Sequence, residues 1–338
     1  MKTSIKNLFT CFGGAVSAAV VLLVASGAGA QDLYVSFGGV INVLSPAGAK
    51  RSFPAQFFDP LGLAFDTAGN LFVADFGYRC VFEFTPQGAQ STFVSSSELG
   101  NPEALAFDHA GNLYVGDYGN GTIWKLTPDG TQTSFAFGLP SPVGLAIDSS
   151  NDVFVTLASF TTPRVVYKFT PGGVQSTFAS GLNSPGALAI DSANNLYVAD
   201  PPFIYKYTPD GNQSTVASNT YAYGLTCDKA DNLFDSDGSN GVIYKYTSGG
   251  VQTTFATGVV GNFLAFAPAP SLRIAFDRPN SVVLTWPSLY TGYTLEQSTT
   301  LGTTNWVLNT NTVKMVNGDN QVLINPATNH MFFQLIAR

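Results

Sequence analysis

The sequence predicts an all-β protein: a six-bladed β-propeller followed by a small β-sandwich-like domain. Three observations carry that expectation. A sixteen-residue phrase recurs as "PLGLAFDTAGNLFVAD" from Pro60, "PEALAFDHAGNLYVGD" from Pro102, "PVGLAIDSSNDVFVTL" from Pro142, "PGALAIDSANNLYVAD" from Pro185 and, more weakly, "AYGLTCDKADNLFDSD" from Ala222, at spacings of 42, 40, 43 and 37 residues. A second hairpin phrase follows each copy, as in "IWKLTPDGTQTSF" and "IYKYTPDGNQSTV". No segment beyond the N-terminus has a 3.6-residue apolar period. Four short strands in about 40 residues, repeated, is the pattern of a propeller blade.

In chain order, residues 1–30 read as a secretory signal peptide. Lys2 and Lys6 precede an apolar run from about Ala15 to Ala25, and Ala28-Gly29-Ala30 supplies a cleavage pattern ahead of Gln31. Cys11 lies before the apolar run and does not read as a lipid-attachment site. The run is short for a membrane span, and no later stretch reaches the roughly 18 apolar residues a span needs. The mature chain is therefore expected to be secreted, periplasmic or extracellular, with no membrane span.

Residues 31–269 form the expected propeller. "DLYVSFGGVINVLSPAGAKRSF", from Asp32, supplies the second to fourth strands of a blade whose first strand appears at the far end as "NFLAFAP", from Asn262. A blade built from both ends would close the ring and leave no open sheet edge. Five complete units and this composite make six. Within a unit, G/A-L-A-F/I-D leads through an Asp/Asn/Gly turn to N-L-Y/F-V. A variable loop then leads to an aromatic-Lys-aromatic strand, and T-P-x-G-x-Q turns the chain into the fourth. Gly and Asn supply the positive φ these turns need. After the "APAPS" linker, residues 270–338 offer six strand candidates from "LRIAFD" to "MFFQLIA", spaced as in a small sandwich with Trp286 and Trp306 in its core.

Composition removes some functions. Without Lys2 and Lys6, 13 basic side chains face 22 acidic ones, a formal charge of −9, and no basic stripe for nucleic acid appears. Only Cys80 and Cys227 follow the leader, so the fold must rest on apolar burial. The blade arrangement places these two apart, which argues against a bridge.

The "GNLYVAD" and "IYKY" phrases resemble NHL-type repeats and the wider group of six-bladed propellers that includes gluconolactonases and streptogramin lyases, over about residues 31–268. The C-terminal stretch resembles modules appended to many secreted bacterial proteins. The resemblance implies the fold and leaves activity open, because such propellers do unrelated jobs. A gluconolactonase-like enzyme would hold a divalent metal at the channel mouth with Glu, Asn and Asp side chains. A streptogramin-lyase-like one would use a histidine base with acidic partners.

The repeat separates scaffold from exception. Asp108 recurs as Asp66, Asp148, Asp191 and Asp228, each opening a turn whose backbone N–H groups a carboxylate can accept. His109 follows it and is expected in solvent on the face away from the strand-one entrance. Asp117 recurs as Asp75, Asp200 and Asp237 at the end of the second strand. Strands about 4.8 Å apart put neighbours in such a ring about 10 Å from one another. They cannot share one metal, so each is expected to cap its own loop. Lys125, Lys168, Lys206 and Lys245 are expected to lay their stems between blades with the charges reaching outward. Cys227 stands where Phe65, Phe107, Ile147 and Ile190 stand elsewhere and is expected to be buried packing.

Glu103 has no such explanation. It belongs to a ring with Leu61, Val143, Gly186, Tyr223 and Asn262, expected around the channel mouth. As metal ligands that ring offers only Glu103 and Asn262, which would leave a metal underheld unless loops contribute more. His109 lies on the other face, and His330 lies in the appended domain. No G-x-S-x-G elbow appears. The expectation is a non-catalytic, monomeric propeller without a cofactor, binding a protein, peptide or glycan through its entrance face. The alternative is a metal-dependent lactonase or lyase. Candidate ligand-binding residues are Glu103, Tyr223, Asn262, Tyr118, Arg79, Arg164 and Phe160. Phe76, Tyr78, Phe203 and Tyr221 join them in or near the variable loops, with about half of these aromatics expected to be exposed.

Overall fold

The computed structural model describes residues 22–23, 31–95, 97–158, 164–278, 281–288, 293–299, 306–324 and 331–337. These contain strands and turns and no helix, hence no helix able to cross a membrane. The chain divides into two compact units. One holds residues 31–85 and 89–268, and the other holds residues 1–30, 86–88 and 269–338.

In the larger unit each sequence copy folds into one antiparallel four-stranded sheet. The first sheet runs Pro60–Phe65, Leu71–Asp75, Cys80–Phe84 and Gln90–Val94. The second runs Pro102–Phe107, Leu113–Asp117, Thr122–Leu126 and Gln132–Ala136. The third, fourth and fifth begin with Pro142–Ile147, Leu188–Ile190 and Ala222–Cys227. A sixth sheet is composite: Phe263–Phe266 pairs with Leu33–Phe37, followed by Val40–Leu44 and Lys50–Ser52. First strands of successive sheets are neighbours, and that of the composite sheet neighbours those of both the fifth and the first.

Burial between sheets holds this arrangement. The last apolar residue of a first strand meets the second-strand aromatic of the preceding sheet edge-to-face. Phe107 meets Phe72 at 5.0 Å, Phe65 meets Tyr34 at 5.0 Å and Phe266 meets Phe234 at 4.8 Å. Fourth-strand Phe93, Phe135, Phe178 and Phe255 close on Phe72, Tyr114, Phe154 and Phe234 at 5.0–5.1 Å. This geometry aligns ring edges with ring faces, which aromatic quadrupoles favour.

The turn after each first strand is built as expected. Asp66, Asp108, Asp148, Asp191 and Asp228 accept the amide N–H four residues on, at 2.8–3.0 Å. Gly69, Gly111, Asn151, Asn194 and Asp231 supply the positive φ. The last three also reach across sheets. Asn151 Oδ1 accepts the His109 amide at 2.9 Å, Asn194 Oδ1 that of Ser149, and Asp231 Oδ1 that of Ser192.

The third-strand lysines are half-exposed and reach partners in their own sheets. Lys125, Lys168, Lys206 and Lys245 lie 5.3–5.4 Å from the ring centres of Tyr114, Phe154, Tyr197 and Phe234. Each also pairs with a turn carboxylate, at 2.7–3.7 Å. The alternation placed the stems, but not the aspartates waiting at the end of the reach. Cys80 and Cys227 are both free thiols. Cys227 is half-buried rather than enclosed, because the last position of the first strand borders a cavity.

The smaller unit holds two four-stranded sheets. One is Arg273–Arg278, Ser281–Pro287, Asp319–Ile324 and Lys314–Val316. The other is Leu22–Leu23, Phe332–Ala337, Tyr293–Ser298 and Val307–Leu308, with Leu22–Leu23, from the expected leader, parallel to Phe332–Phe333. Trp286 is buried and Trp306 half-buried.

Candidate binding face

Backbone geometry at the start of each first strand selects the residues that face the cavity. In the second sheet Pro102 pairs with Asp117 and Ala104 with Gly116, so Glu103 has no partner in the ladder. Val143 and Tyr223 are skipped in the same way between Pro142 and Gly144 and between Ala222 and Gly224. A β-bulge of this kind re-aims the unpaired side chain. Leu61, Glu103, Val143, Gly186, Tyr223 and Asn262 all line one cavity of about 360 Å³. Leu157, Pro201 and Phe263 complete its apolar wall.

The scaffold around the mouth is stiff. Buried Asp75, Asp117, Asp200 and Asp237 cap loops, as their recurrence implies. Asp117 accepts the amides of Gly100 and Asn101 at 2.8 Å and Trp124 Nε1 at 3.2 Å. Asp75 serves Phe58, Asp59 and Tyr78, Asp200 serves Asn183 and Ser184, and Asp237 serves Ser239 and Asn240. Three buried hydroxyls bridge neighbouring sheets at the same end. Ser36 donates to the Leu61 carbonyl at 2.6 Å, Thr156 to that of Gly186 at 2.5 Å, and Ser236 to that of Gly261.

Glu103 is half-buried and is the sole carboxylate among the cavity's described lining residues. Burial first, and then the negative charge of Asp59, push its carboxyl up to about 8. Asp59 is itself raised by burial and by Asp75. No described lysine, arginine or histidine lines the cavity.

Around the mouth lies a rim of rings. Phe58 is 67% exposed, Tyr223 53%, Tyr78 55%, Tyr221 49% and Tyr118 38%. Two of them rest on glycines that leave no room for a Cβ. An added methyl would come within 1.9 Å of the Phe58 ring at Gly77 and of the Tyr223 ring at Gly238. Arg79 and Arg164 are exposed, and Phe76 and Phe203 are half-buried. Phe160 lies outside the described residues.

The sequence reading missed three exposed aromatics at this end, Phe37, Phe58 and Phe137, and it missed Asp59. The residue preceding the recurring proline is Asp59, Asn101, Ser141 or Ser184, a polar position that carried the signal for Asp59. His109 is exposed at the far end of the strand that begins beside Glu103. At about 3.3 Å per residue the two lie roughly 15–20 Å apart. Among the described residues no group of three His, Cys, Asp or Glu side chains is arranged to hold a metal.

Comparison with protein-family models finds no match, and no curated protein matches the sequence. Solved structures do match in fold. A nidogen/laminin complex shares 20% identity over 71% of this chain and 99% of the other, with a TM-score of 0.64. A streptogramin B lyase shares 14% over 88% and 94%, with a TM-score of 0.54. A gluconolactonase from Xanthomonas campestris shares 18% over 76% and 95%, also at 0.54. At these identities the likeness is one of fold: the larger unit is a β-propeller.

Proposed function

We propose that this chain is an exported, monomeric, six-bladed propeller that binds a protein, peptide or glycan through the face bearing Glu103, without catalysing a reaction. The composite sheet serves as the blade that closes the ring, and residues 270–338 form an appended sandwich module. Export rests on the leader pattern of residues 1–30.

One observation carries the binding role. The described exposed aromatics of the propeller, Phe37, Phe58, Tyr78, Tyr118, Phe137, Tyr221 and Tyr223, all sit at the entrance ends of their strands. At the turn ends the exposed large apolar side chains are Val174 and Val251. A one-sided concentration of exposed rings on a rigid scaffold marks an interaction surface. The likeness to a nidogen/laminin complex supports protein binding as a use of this fold.

The metal-dependent lactonase or lyase reading draws on Glu103 and Asn262 sharing one cavity with a raised carboxyl pKa, and on neighbours named as enzymes. Two tests divide the readings. Peptide and glycan arrays probed with the whole chain should give binders that lose at least tenfold with Tyr223→Ser and Phe58→Ser. A lactone panel with calcium, manganese or zinc should give no turnover. Metal-dependent turnover abolished by Glu103→Gln would replace binding with catalysis.

A further inference from the structure

We infer that the mouth cavity is a receptor for one basic side chain, an arginine or lysine presented by a peptide or protein partner, with Glu103 as its counter-ion. This rests on the face-binding reading above and names the chemistry of its centre.

The cavity has an apolar wall, one carboxyl at its rim and no described cation. Its volume of about 360 Å³ accommodates a long flexible side chain but not a folded element. Such a side chain buries its methylene stem against apolar surface while its charged head seeks a carboxylate. The wall offers Leu61, Val143 and Leu157 to the stem, and Tyr223 lines the same cavity as an aromatic partner for the head.

Once Glu103 is ionised, electrostatics favour a cation over an anion. The ionised Glu103 is repelled by the negative charge of Asp59, and no described lysine, arginine or histidine lines the cavity to offset it. Tyr223 is the other titratable side chain lining the mouth, while the third, fourth and composite sheets present Val143, Gly186 and Asn262. An incoming cation relieves that repulsion, whereas an anion adds to it. Burial and Asp59 keep Glu103 protonated at neutral pH, so cation binding expels its proton to solvent.

The coupling sets the sign of the pH dependence. If only the ionised carboxyl holds the cation, affinity rises as pH increases towards about 8 and then levels. Between pH 6 and pH 8 the gain is about fifty-fold.

Calorimetry of the whole chain with millimolar capped Gly-Arg-Gly peptide tests this, with the citrulline peptide and propylguanidinium as comparison probes. The expected result is binding of the arginine peptide at least tenfold tighter than of the citrulline peptide. Proton release, read as a dependence of heat on buffer ionisation enthalpy, should vanish in Glu103→Gln along with most of the affinity. Equal binding of the citrulline peptide, or an unchanged affinity in Glu103→Gln, overturns the inference. Propylguanidinium binding as tightly as the peptide overturns the peptide source. Array binders that need Tyr223 and Phe58 but show no arginine or lysine preference leave face binding standing and defeat the cation pocket. Arginine-peptide binding with blank arrays leaves the cation pocket standing and removes the exposed aromatics from the binding surface.

Discussion

At the turn end of the innermost strands, Phe65, Phe107, Ile147, Ile190, Cys227 and Phe266 occupy one position, and five of the six are large and apolar. At the other end the matching position holds Leu61, Glu103, Val143, Gly186, Tyr223 and Asn262, six different residues. The same strands thus obey two rules. The turn-end residue borders a cavity too, but it sits in the ladder and packs on a ring of the preceding sheet, so volume and apolarity decide it. The entrance residue is a bulge or strand-start residue facing an open mouth, so little in the scaffold constrains it. Release from packing is what makes a position available for recognition.

The largest effect expected lies just beneath the variable mouth. Asp117→Ala removes a buried carboxylate that accepts the Gly100 and Asn101 amides, the Asn120 side chain and Trp124 Nε1. Leaving several partly buried donors unpaired costs about 4–5 kcal/mol, read as a shift in denaturant midpoint at constant slope. Val143→Ala, at the mouth in the next sheet, costs under about 1 kcal/mol. Equal costs would break the distinction between the scaffold layer and the mouth.

Asp235 is a second departure from the repeat, placed in the core instead of at the mouth. Its position holds Val73, Val115, Val155, Val198 or Val35 in the other sheets. Thr220 Oγ1 donates to its Oδ2 at 2.7 Å, while Oδ1 has no hydrogen-bond partner among the described residues. Burial pushes its carboxyl up to about 7. The folded state therefore keeps a proton that the unfolded chain releases near pH 4, and stability falls as pH rises from about 4 to about 7. The loss is on the order of 3–4 kcal/mol. Unfolding free energies of Asp235→Val and the parent, measured from pH 4 to pH 8, should diverge over that window. Parallel curves would refute a buried acid.

Internal repetition made the fold legible. Phrases at Pro60, Pro102, Pro142, Pro185 and Ala222 each became one sheet, and the orphan strand near Asn262 joined residues 33–52. Comparing copies also brought the six mouth residues to one cavity, because each stands at the start of an innermost strand, with Glu103, Val143 and Tyr223 further re-aimed by a bulge. The Lys–Asp pairs and the Asn151, Asn194 and Asp231 clasps were not legible. They join residues in different hairpins or sheets, and pattern along one strand does not report partners across it. Phe58 and Phe137 escaped because loop aromatics carry no periodicity, and Phe37 because it is the last residue of its strand.

The first sheet breaks the lysine rule, since Glu83 stands where the next four sheets carry lysine. Phe72, paired with it across the strands, and Asp66, the turn carboxylate, remain, and together they line a cavity of about 460 Å³. Glu83→Lys should place an ammonium over Phe72 and beside Asp66, stabilising by about 1 kcal/mol in thermal unfolding. No gain would mean that the four lysine pairs contribute little where they occur.

The smallest effect belongs to His109. Its ring Nδ1 lies 3.0 Å from Asn151 Oδ1, but that oxygen also accepts the His109 amide at 2.9 Å. The amides of Ser149 and Ser192 make the same clasp in the next two sheets without an imidazole. His109→Ala keeps the amide bond and removes only an exposed ring, so unfolding should shift by less than about 0.5 kcal/mol. Peptide binding at the mouth should not change, because the histidine and Glu103 occupy opposite ends of one strand. Loss of binding in this variant would mean that the turn end is not the passive half of the propeller.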